Sequence, residues 1–390
     1  MDKPLVMAGS LVKFEERACA NGMRIAIATL NASMSLHALN LDMIRLLDGA
    51  LQRWAFDPAV ACVVLQSSTD KAFCAGGDVR SLRQAVLEHP DQSPNALALA
   101  FFSEEYRLDY RIHTYAKPLL VWGGGIVMGG GLGLMAGASH RVATETTRIA
   151  MPEISIGLFP DVGGSWFLSR MPGRVGLFLG LTGAALNAHD ALFTGLADYF
   201  LPQRQRAGVI DDLCALDWQK VSSNASANPA NHFLLDCALR AMQAPGTLAA
   251  TLLPASEVRT HFDAIAALTA SRDLGEVRAS IVGYDGDSTW LRRAAQSLAC
   301  GSPSSAAVTW AMRERVRHLS LADVFRLELI VALRCCAQAD FAEGVRALLI
   351  DKDNAPQWRP ATLAAIGDAD VGQFFKAPWP AELHPLADLA

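Results

Sequence analysis

Apolar residues recur with two different periods in the N-terminal part of the chain. In residues 23–30 the large apolar side chains occupy alternate positions, which predicts a strand. After Asn40 they recur three and four positions apart, which predicts a helix with the Asn40 side chain as its N-cap. Residues 59–66 are almost all apolar, as expected for a strand that is covered on both faces. This order of strand, helix and strand is typical of an α/β fold.

The alternation of strands and helices continues to about Pro202. A helix is predicted from Arg80 onward, and residues 118–122 form a further apolar strand. The next helix is predicted to begin within residues 128–131. The whole stretch therefore favours a sheet whose strands are connected by helices.

Beyond that stretch the pattern changes to segments rich in alanine, leucine, arginine and glutamate with helical spacing, of which residues 321–337 are an example. Residues 301–305 combine glycine, serine and proline, and we predict a turn between helices there. We therefore predict an α/β core over residues 1–205 and a helical C-terminal region over residues 206–390.

Composition and charge limit the class of protein. With 51% hydrophobic and 19% charged residues, the chain can bury a large core. The formal net charge is −5 and no basic run is present, so neither nucleic acid nor an anionic membrane surface is expected as a partner. Residues 118–139 carry no charge and are long enough to span a bilayer. Eight glycines in that segment argue against a membrane helix, since each weakens a helix by about 1 kcal/mol.

The eight cysteines form no Cys-x-x-Cys pair and no Cys/His spacing of a zinc site. Most stand in apolar surroundings, which favours buried, reduced thiols. The first thirty residues contain acidic side chains and lack a cationic start followed by an apolar stretch. We therefore expect no metal centre and a cytoplasmic location.

Two glycine-rich segments follow predicted strands. Residues 73–78, Phe-Cys-Ala-Gly-Gly-Asp, are by themselves consistent with a simple tight turn. Residues 128–131, Met-Gly-Gly-Gly, open a predicted helix, where free backbone N–H groups receive an anion or where glycine allows close helix packing. The spacing matches neither a P-loop nor the dinucleotide fingerprint.

A third segment, residues 151–164, contains two carboxylates, Glu153 and Asp161, eight positions apart. Exposed acids on the surface are the common explanation for any such pair. Here the neighbours are methionine, isoleucine, leucine, phenylalanine and valine, which favours a partly buried pair with shifted pKa values.

Taken together, these segments resemble the crotonase (enoyl-CoA hydratase/isomerase) superfamily in content, order and separation. The resemblance implies a spiral of strand-strand-helix units, followed here by an extended C-terminal helical region. It also implies an acyl-CoA thioester whose oxyanion accepts hydrogen bonds from the backbone N–H groups of Gly77 and Gly130. By the same resemblance Ala75, Asp78 and Leu36 lie at the substrate. Coenzyme A is then part of the substrate, with no separate cofactor.

Within this superfamily the chain is most similar to the 3-hydroxyisobutyryl-CoA hydrolases. The similarity is carried by residues 102–106, residues 151–164 and the late segment 343–353, and it extends from about residue 24 to residue 375. Classical hydratases of the superfamily carry a second glutamate two residues after the glycine triplet. This chain has Gly133 at that position, so the two-glutamate mechanism of water addition is not available.

The resemblance implies hydrolysis of a short branched 3-hydroxyacyl-CoA, with 3-hydroxyisobutyryl-CoA of valine catabolism as the expected case. Glu153 acts on the thioester either as a nucleophile, through an anhydride, or as the general base for water, and both roles stay open. Asp161, helped by Glu105, holds the 3-hydroxyl group or orients the attacking water.

Two alternative functions remain, that of an enoyl-CoA hydratase or isomerase and that of a non-catalytic acyl-CoA-binding protein.

The chain also departs from the superfamily pattern. Residues 30–40 lack the usual Arg-Pro and Lys, and Gly124 stands where the hydrolases usually have histidine. Arg80 is a candidate for contact with the nucleotide phosphates, although an exposed helix arginine is an equal alternative. Superfamily members commonly form trimers, so a homo-oligomer is a further possibility.

Overall fold

The computed structural model describes residues 10–220, 228–243 and 252–390. The chain divides into two compact units, each built from segments that are separate in the sequence. The first unit comprises Met1–Gly76, Arg111–Ile149 and Leu186–Ser256, and the second comprises Gly77–Tyr110, Ala150–Ala185 and Glu257–Ala390. The boundary between residues 205 and 206 that the sequence pattern indicates stays a prediction.

Most strands of the described residues belong to a six-stranded sheet of the first unit, in the order β1-β2-β3-β5-β7-β9. A small second sheet has the order β4-β6-β8. The strands are β1 (Val12–Ala18), β2 (Arg24–Leu30), β3 (Val60–Ser67), β4 (Ala72–Cys74), β5 (Leu119–Gly123), β6 (Ile126–Met128), β7 (His140–Ala143), β8 (Arg148–Ala150) and β9 (Tyr199–Phe200). In the large sheet β1 and β2 are antiparallel, and all later neighbours are parallel.

Helices of the described residues occur between the strands and dominate the chain after β9. In chain order they are α1 (Leu41–Phe56), α2 (Val79–Glu88), α3 (Ala96–His113), α4 (Gly130–Ala136), α5 (Gly164–Leu168), α6 (Val175–Thr182), α7 (Ala188–Thr194), α8 (Arg206–Cys214), α9 (Pro229–Met242), α10 (Glu257–Thr260), α11 (Phe262–Leu268), α12 (Leu274–Val282), α13 (Thr289–Cys300), α14 (Pro303–Arg315), α15 (Leu321–Cys336), α16 (Ala339–Val345) and α17 (Asp368–Gln373). Short 3-10 turns lie at Ser33–Ser35, Glu153–Ile156, Gln203–Gln205, Leu363–Ala365 and Ala381–Leu383, and a π-helical turn lies at Arg346–Ile350.

The first strand, helix and strand confirm the pattern of apolar positions. Residues 23–30 and 59–66 correspond to β2 and β3, and β3 is buried along almost its entire length. Helix α1 begins after Asn40, whose Oδ1 accepts a hydrogen bond from the Met43 N–H at 2.9 Å. Strand β1 was not predicted. It is an edge strand with a largely exposed, charged face, so it has too few apolar positions to show the period of two.

The core of the first unit lies between the large sheet and helices α8 and α9. Ile25 of β2, Val64 of β3 and Trp122 of β5 are buried there in one cluster with Ile210 of α8 and Leu235 of α9. Parallel strands that are apolar on both faces need such a cover, because both of their faces lose contact with water on folding.

Helices form the core of the second unit. At the junction of α5 and α6 a Cβ on Gly176 would lie 1.8 Å from the carbonyl oxygen of Leu168, so only glycine permits this approach. Three aromatic rings of this unit pack in sequence. Phe102 and Tyr106 of α3 have ring centroids 5.8 Å apart, and Tyr106 lies 5.8 Å from Phe325 of α15. These rings provide an apolar setting for the buried acids of α3.

Two further segments from the sequence analysis, the uncharged residues 118–139 and the predicted turn at residues 301–305, lie within the described residues. Residues 118–139 contain β5, β6 and α4, and none of the described helices has the length and hydropathy to cross a membrane. The turn predicted at residues 301–305 is wrong in its second half. Ser302 caps helix α14 by accepting a hydrogen bond from the Ser305 N–H, and Pro303 occupies the first turn, where its missing N–H costs nothing.

Candidate active site

Glu153 stands at the start of a short 3-10 turn directly after β8. The turn closes because Gly157 adopts a φ of 70° and the Leu158 N–H donates to the Glu153 carbonyl oxygen at 3.1 Å. The Glu153 side chain is 5% exposed, and its Oε2 has no hydrogen-bond partner among the described residues. A buried carboxyl oxygen without a partner is costly, so it indicates a site that a ligand completes.

Asp161 lies in the loop between that turn and helix α5. The next residue, Val162, has a φ of 53°, which is a strained backbone conformation for a β-branched side chain. Gly163 follows with a φ of 81° and caps α5. The Tyr106 hydroxyl donates to Asp161 Oδ2 at 2.6 Å. The strained loop and this hydrogen bond together fix the carboxylate of Asp161.

Helix α3 contributes Glu105, Tyr106 and Asp109 to the same region of the second unit. Glu105 and Asp109 are one helical turn apart and are both buried. Oε1 of Glu105 and both carboxyl oxygens of Asp109 have no hydrogen-bond partner within the described part of the chain. The predicted site residue Glu105 is close enough to Asp161 for their charges to interact. Tyr106 and Asp109 were not assigned a role from the sequence.

The environment raises the pKa of every carboxyl group in this cluster. Burial is the main cause for Glu105, Asp109 and Glu153, and the negative charge of Asp161 raises the pKa of each of them further. For Asp161 burial raises the pKa to about 6, while the hydrogen bond from Tyr106 opposes the shift. The charge of ionised Asp161 therefore favours the protonated form of its neighbours.

Glu328 of helix α15 is a further member of the cluster. It is fully buried, and its carboxyl oxygens accept hydrogen bonds from the Gly163 N–H at 2.8 Å and the Ser165 N–H at 3.0 Å. Burial raises the pKa of Glu328 to about 8, whereas the N–H donor of Gly163 opposes that shift. Glu328 thus holds the turn that follows Asp161. The sequence analysis assigned no role to Glu328. Its position as an acid on an apolar helix face was the one sequence feature that could have indicated a role.

Gly77 and Asp78 precede helix α2 in the second unit. Asp78 is the N-cap of α2 and accepts hydrogen bonds from the Ser81 N–H at 3.2 Å and the Ser81 hydroxyl at 2.6 Å. A Cβ on Gly77 would lie 3.0 Å from Cζ of Phe101, so this position is tight. The carboxylate of Asp78 has a structural role as a cap, and its contact with substrate stays a prediction.

The remaining predicted residues belong to the first unit. The Ala75 N–H donates to the Leu36 carbonyl oxygen at 3.1 Å, so these two residues are adjacent, and Leu36 has a φ of 53°. Gly130 is the first residue of α4 and follows Gly129, whose φ is 48°. The N–H groups of a first helical turn have no partner within their helix, as the predicted role of Gly130 requires. Its joint action with Gly77 stays a prediction.

Arg80 and the late segment 343–353 have mutual contacts in the second unit. Arg80 donates to the Leu349 carbonyl oxygen at 3.0 Å. Within the late segment Arg346 pairs with Glu343 at 2.8 Å, with Asp351 at 2.6 Å and with Asp353 at 2.7 Å. These ion pairs therefore connect residues within the late segment.

No group of His, Cys, Asp or Glu side chains in the described ranges has an arrangement that would hold a metal ion.

The fold agrees with the comparison to known proteins. The sequence profile of the enoyl-CoA hydratase/isomerase family matches residues 25–375, and the chain belongs to that family. This confirms the resemblance that the glycine and acid motifs predicted.

The most informative relatives fall into two groups. The curated mitochondrial 3-hydroxyisobutyryl-CoA hydrolase of Danio rerio is 38% identical to this chain, over 95% of this chain and 90% of its own length. The corresponding protein of Homo sapiens is 33% identical, over 95% of this chain and 89% of its own length. Among solved structures, an enoyl-CoA hydratase from Rhodobacter sphaeroides has a TM-score of 0.77 at 32% identity and covers 94% of this chain and 97% of its own. A carnitinyl-CoA dehydratase from Mycobacterium thermoresistibile has a TM-score of 0.79 at 31% identity and covers 95% of this chain and 98% of its own.

Proposed function

We propose that the chain hydrolyses the thioester of 3-hydroxyisobutyryl-CoA, which yields 3-hydroxyisobutyrate and coenzyme A. The observation that carries this proposal is the buried cluster of Glu105, Glu153 and Asp161 combined with glycine at position 133. Position 133 lies inside α4 and has no side chain to act as the second acid of a hydratase. The curated relatives, which are named as hydrolases of this substrate, support the same reaction.

In the proposed reaction the backbone N–H groups of Gly77 and Gly130 polarise the thioester carbonyl. Glu153 either attacks the carbonyl carbon, so that the C–S bond breaks and an anhydride forms for water to open, or removes a proton from an attacking water. In both routes the thiolate of coenzyme A leaves and takes up a proton.

Asp161 is suited to recognise the 3-hydroxyl group. Its Oδ2 is occupied by the Tyr106 hydroxyl, and its pKa of about 6 means that it is mostly ionised at neutral pH. An ionised carboxylate accepts a hydrogen bond from a substrate hydroxyl strongly in a buried site. Tyr106 is thus proposed to orient Asp161, and Glu105 to help Asp161 hold the hydroxyl group or orient the attacking water.

A cytoplasmic location is proposed for this chain as well. All eight cysteines are free thiols, and five of them are buried, which fits a reducing compartment. The names of the curated relatives place those proteins in mitochondria. Fractionation of cells that express the protein, with markers for both compartments, decides between the two locations.

A homo-oligomer also stays a prediction, and a sedimentation measurement tests it.

A panel of three thioesters tests the proposed reaction. We expect thiol release from 3-hydroxyisobutyryl-CoA, slower thiol release from isobutyryl-CoA, which lacks the hydroxyl group, and no hydration of crotonyl-CoA. Free thiol is measured with a thiol reagent, and hydration is measured by the loss of the enoyl absorbance. Efficient hydration of crotonyl-CoA with negligible thiol release would favour the hydratase alternative, and inactivity on all three would favour a binding protein.

The pH profile of turnover should depend on Asp161. Burial raises the pKa of Glu153 and the negative charge of Asp161 raises it further. Because Glu153 must be ionised for its proposed role, the activity of the wild type should increase as pH rises through that elevated pKa. Asp161→Asn removes the charge, and the acidic limb of kcat/KM should therefore move to lower pH, although the maximum rate falls. The profile is measured on residual thiol release. An acidic limb that stays in place or moves to higher pH would contradict this coupling.

A further inference from the structure

A cavity of about 570 Å³ lies entirely within the second unit, beside helices α5, α6 and α14. Arg170, Arg174, Arg313 and Arg317 line it, and Glu314 is its one carboxylate among the described residues. A neighbouring cavity of about 500 Å³ shares three of these arginines and adds Arg272. We refer to the two adjoining spaces as the arginine cavity.

The lining of the arginine cavity carries an excess of positive charge, and Arg170, Arg272 and Arg317 of this lining are exposed to solvent. Five arginines face one glutamate, which is an excess of four positive charges in a chain whose formal net charge is −5. Glu314 is paired with Arg313. Within the described ranges the side chains of Arg272 and Arg317 have no hydrogen-bond or ion-pair partner. Like charges at one site repel each other, although solvent and salt screen part of this repulsion at exposed arginines, and an anion between them removes it.

Several of the guanidinium groups are held in place before any ligand binds. Arg170 lies over the Trp166 ring with Cζ 3.1 Å from its centroid, and Arg313 lies over the Trp310 ring at 4.2 Å. Arg174 donates to the carbonyl oxygens of Thr269 and Ser271. Stacked and hydrogen-bonded guanidinium groups lose little conformational freedom when they bind, which favours affinity.

The chemistry of the lining indicates the class of ligand. Arginine binds phosphate oxygens with two parallel N–H groups, and every basic residue that lines the arginine cavity is an arginine. One wall is apolar and includes Phe159, Leu168, Leu177 and Met312. The volume lies in the usual range for a small-molecule site. We propose that the arginine cavity binds a small molecule that carries two or more phosphate groups and an apolar moiety.

This site is separate from the acids that act on the thioester, but it contacts the same loop. Glu105, Glu153 and Asp161 do not line the arginine cavity, whereas Pro160 and Ser165 do. Pro160 directly precedes Asp161, and the Ser165 N–H donates to Glu328, which holds the turn after Asp161. A bound phosphate compound therefore touches the support of Asp161, and it is placed to change turnover.

Calorimetric titration of the whole protein with inorganic pyrophosphate and with ADP tests the proposal. We expect one saturable site for each compound, with tighter binding of ADP because its nucleoside adds contact with the apolar wall. Arg317→Glu should weaken the binding of both at least about tenfold, since it replaces an attraction with a repulsion. The matched control is Arg293→Glu, which makes the same charge change at an exposed arginine of α13 outside the cavity.

Thioester turnover provides the second measurement. Without added phosphate compounds, Arg317→Glu should leave kcat and KM for the best thioester unchanged, because Arg317 has no part in the proposed reaction. Absence of saturable pyrophosphate binding by the wild type, or an equal loss of affinity in Arg293→Glu, would overturn the proposal. Displacement of pyrophosphate by coenzyme A together with a raised KM in Arg317→Glu would also overturn it, because the cavity would then belong to the thioester site.

Discussion

Replacing Glu153 by glutamine is expected to lower kcat for thioester hydrolysis by at least about a hundredfold, the usual scale for the loss of a nucleophile or a general base. Glutamine keeps the size of the side chain but can neither attack the carbonyl nor accept a proton from water. Because the wild-type Glu153 pKa is raised by burial, the neutral amide should fit the folded protein well. Single-turnover thiol release is measured beside substrate affinity.

The matched control for this variant is Glu382→Gln, an identical change at an exposed position of the same unit. We expect wild-type turnover for the control. The Kd for the thioester should change little in Glu153→Gln, since Glu153 has no part in the proposed binding of coenzyme A. If Glu153→Gln releases thiol at nearly the wild-type rate, the reacting carboxylate must be sought elsewhere in the chain.

Gly131→Ala is expected to have the second large effect. A Cβ at position 131 would lie 2.3 Å from the Cys74 carbonyl oxygen and 2.8 Å from the Cys74 Cβ, so helix α4 would have to move away from β4. Such overpacking costs about 1–3 kcal/mol of the free energy of unfolding. The movement also displaces Gly130, the predicted oxyanion donor, and the loss of such a donor lowers kcat by about a hundredfold or more.

Gly208→Ala serves as the control for Gly131→Ala. Gly208 lies in helix α8, and a Cβ there would meet nothing within 4 Å. Because glycine is unfavourable inside a helix, alanine should raise the free energy of unfolding by about 0.5–1 kcal/mol and leave kcat unchanged. Chemical denaturation and thiol release are measured on both variants. If the two glycine variants behave alike, the close contact at position 131 has no functional role.

Much of the fold and part of the site could be predicted because their signals are local. The Asn40 cap, the apolar strand at residues 59–66 and the glycine triplet each depend on neighbours in the sequence. Glu153 and Asp161 could be recognised in the same way, because two acids within an apolar segment are unusual at any position.

The contacts that complete the site could not be predicted from one sequence. Glu328 binds the N–H groups of Gly163 and Ser165 across sequence separations of 165 and 163 positions, and no local pattern indicates which distant segment an acid will reach. The hydrogen bond from Tyr106 to Asp161 spans 55 positions and has the same limitation. Strand β1 was missed for a different reason, since one exposed face removes the apolar alternation on which strand prediction depends.

The buried carboxyl groups make folding a proton-uptake reaction. In the unfolded chain Asp161 and Glu328 would ionise at the ordinary pKa values of exposed acids, whereas folding raises these pKa values to about 6 and about 8. Between the two sets of values the folded protein binds more protons than the unfolded chain, so these groups favour the folded state less as pH rises through that window. Salt-bridged acids have the opposite effect. The second unit should therefore gain stability towards mildly acidic pH, where the proposed catalysis by an ionised Glu153 would be weakest. Activity and stability should then favour opposite ends of the same pH range.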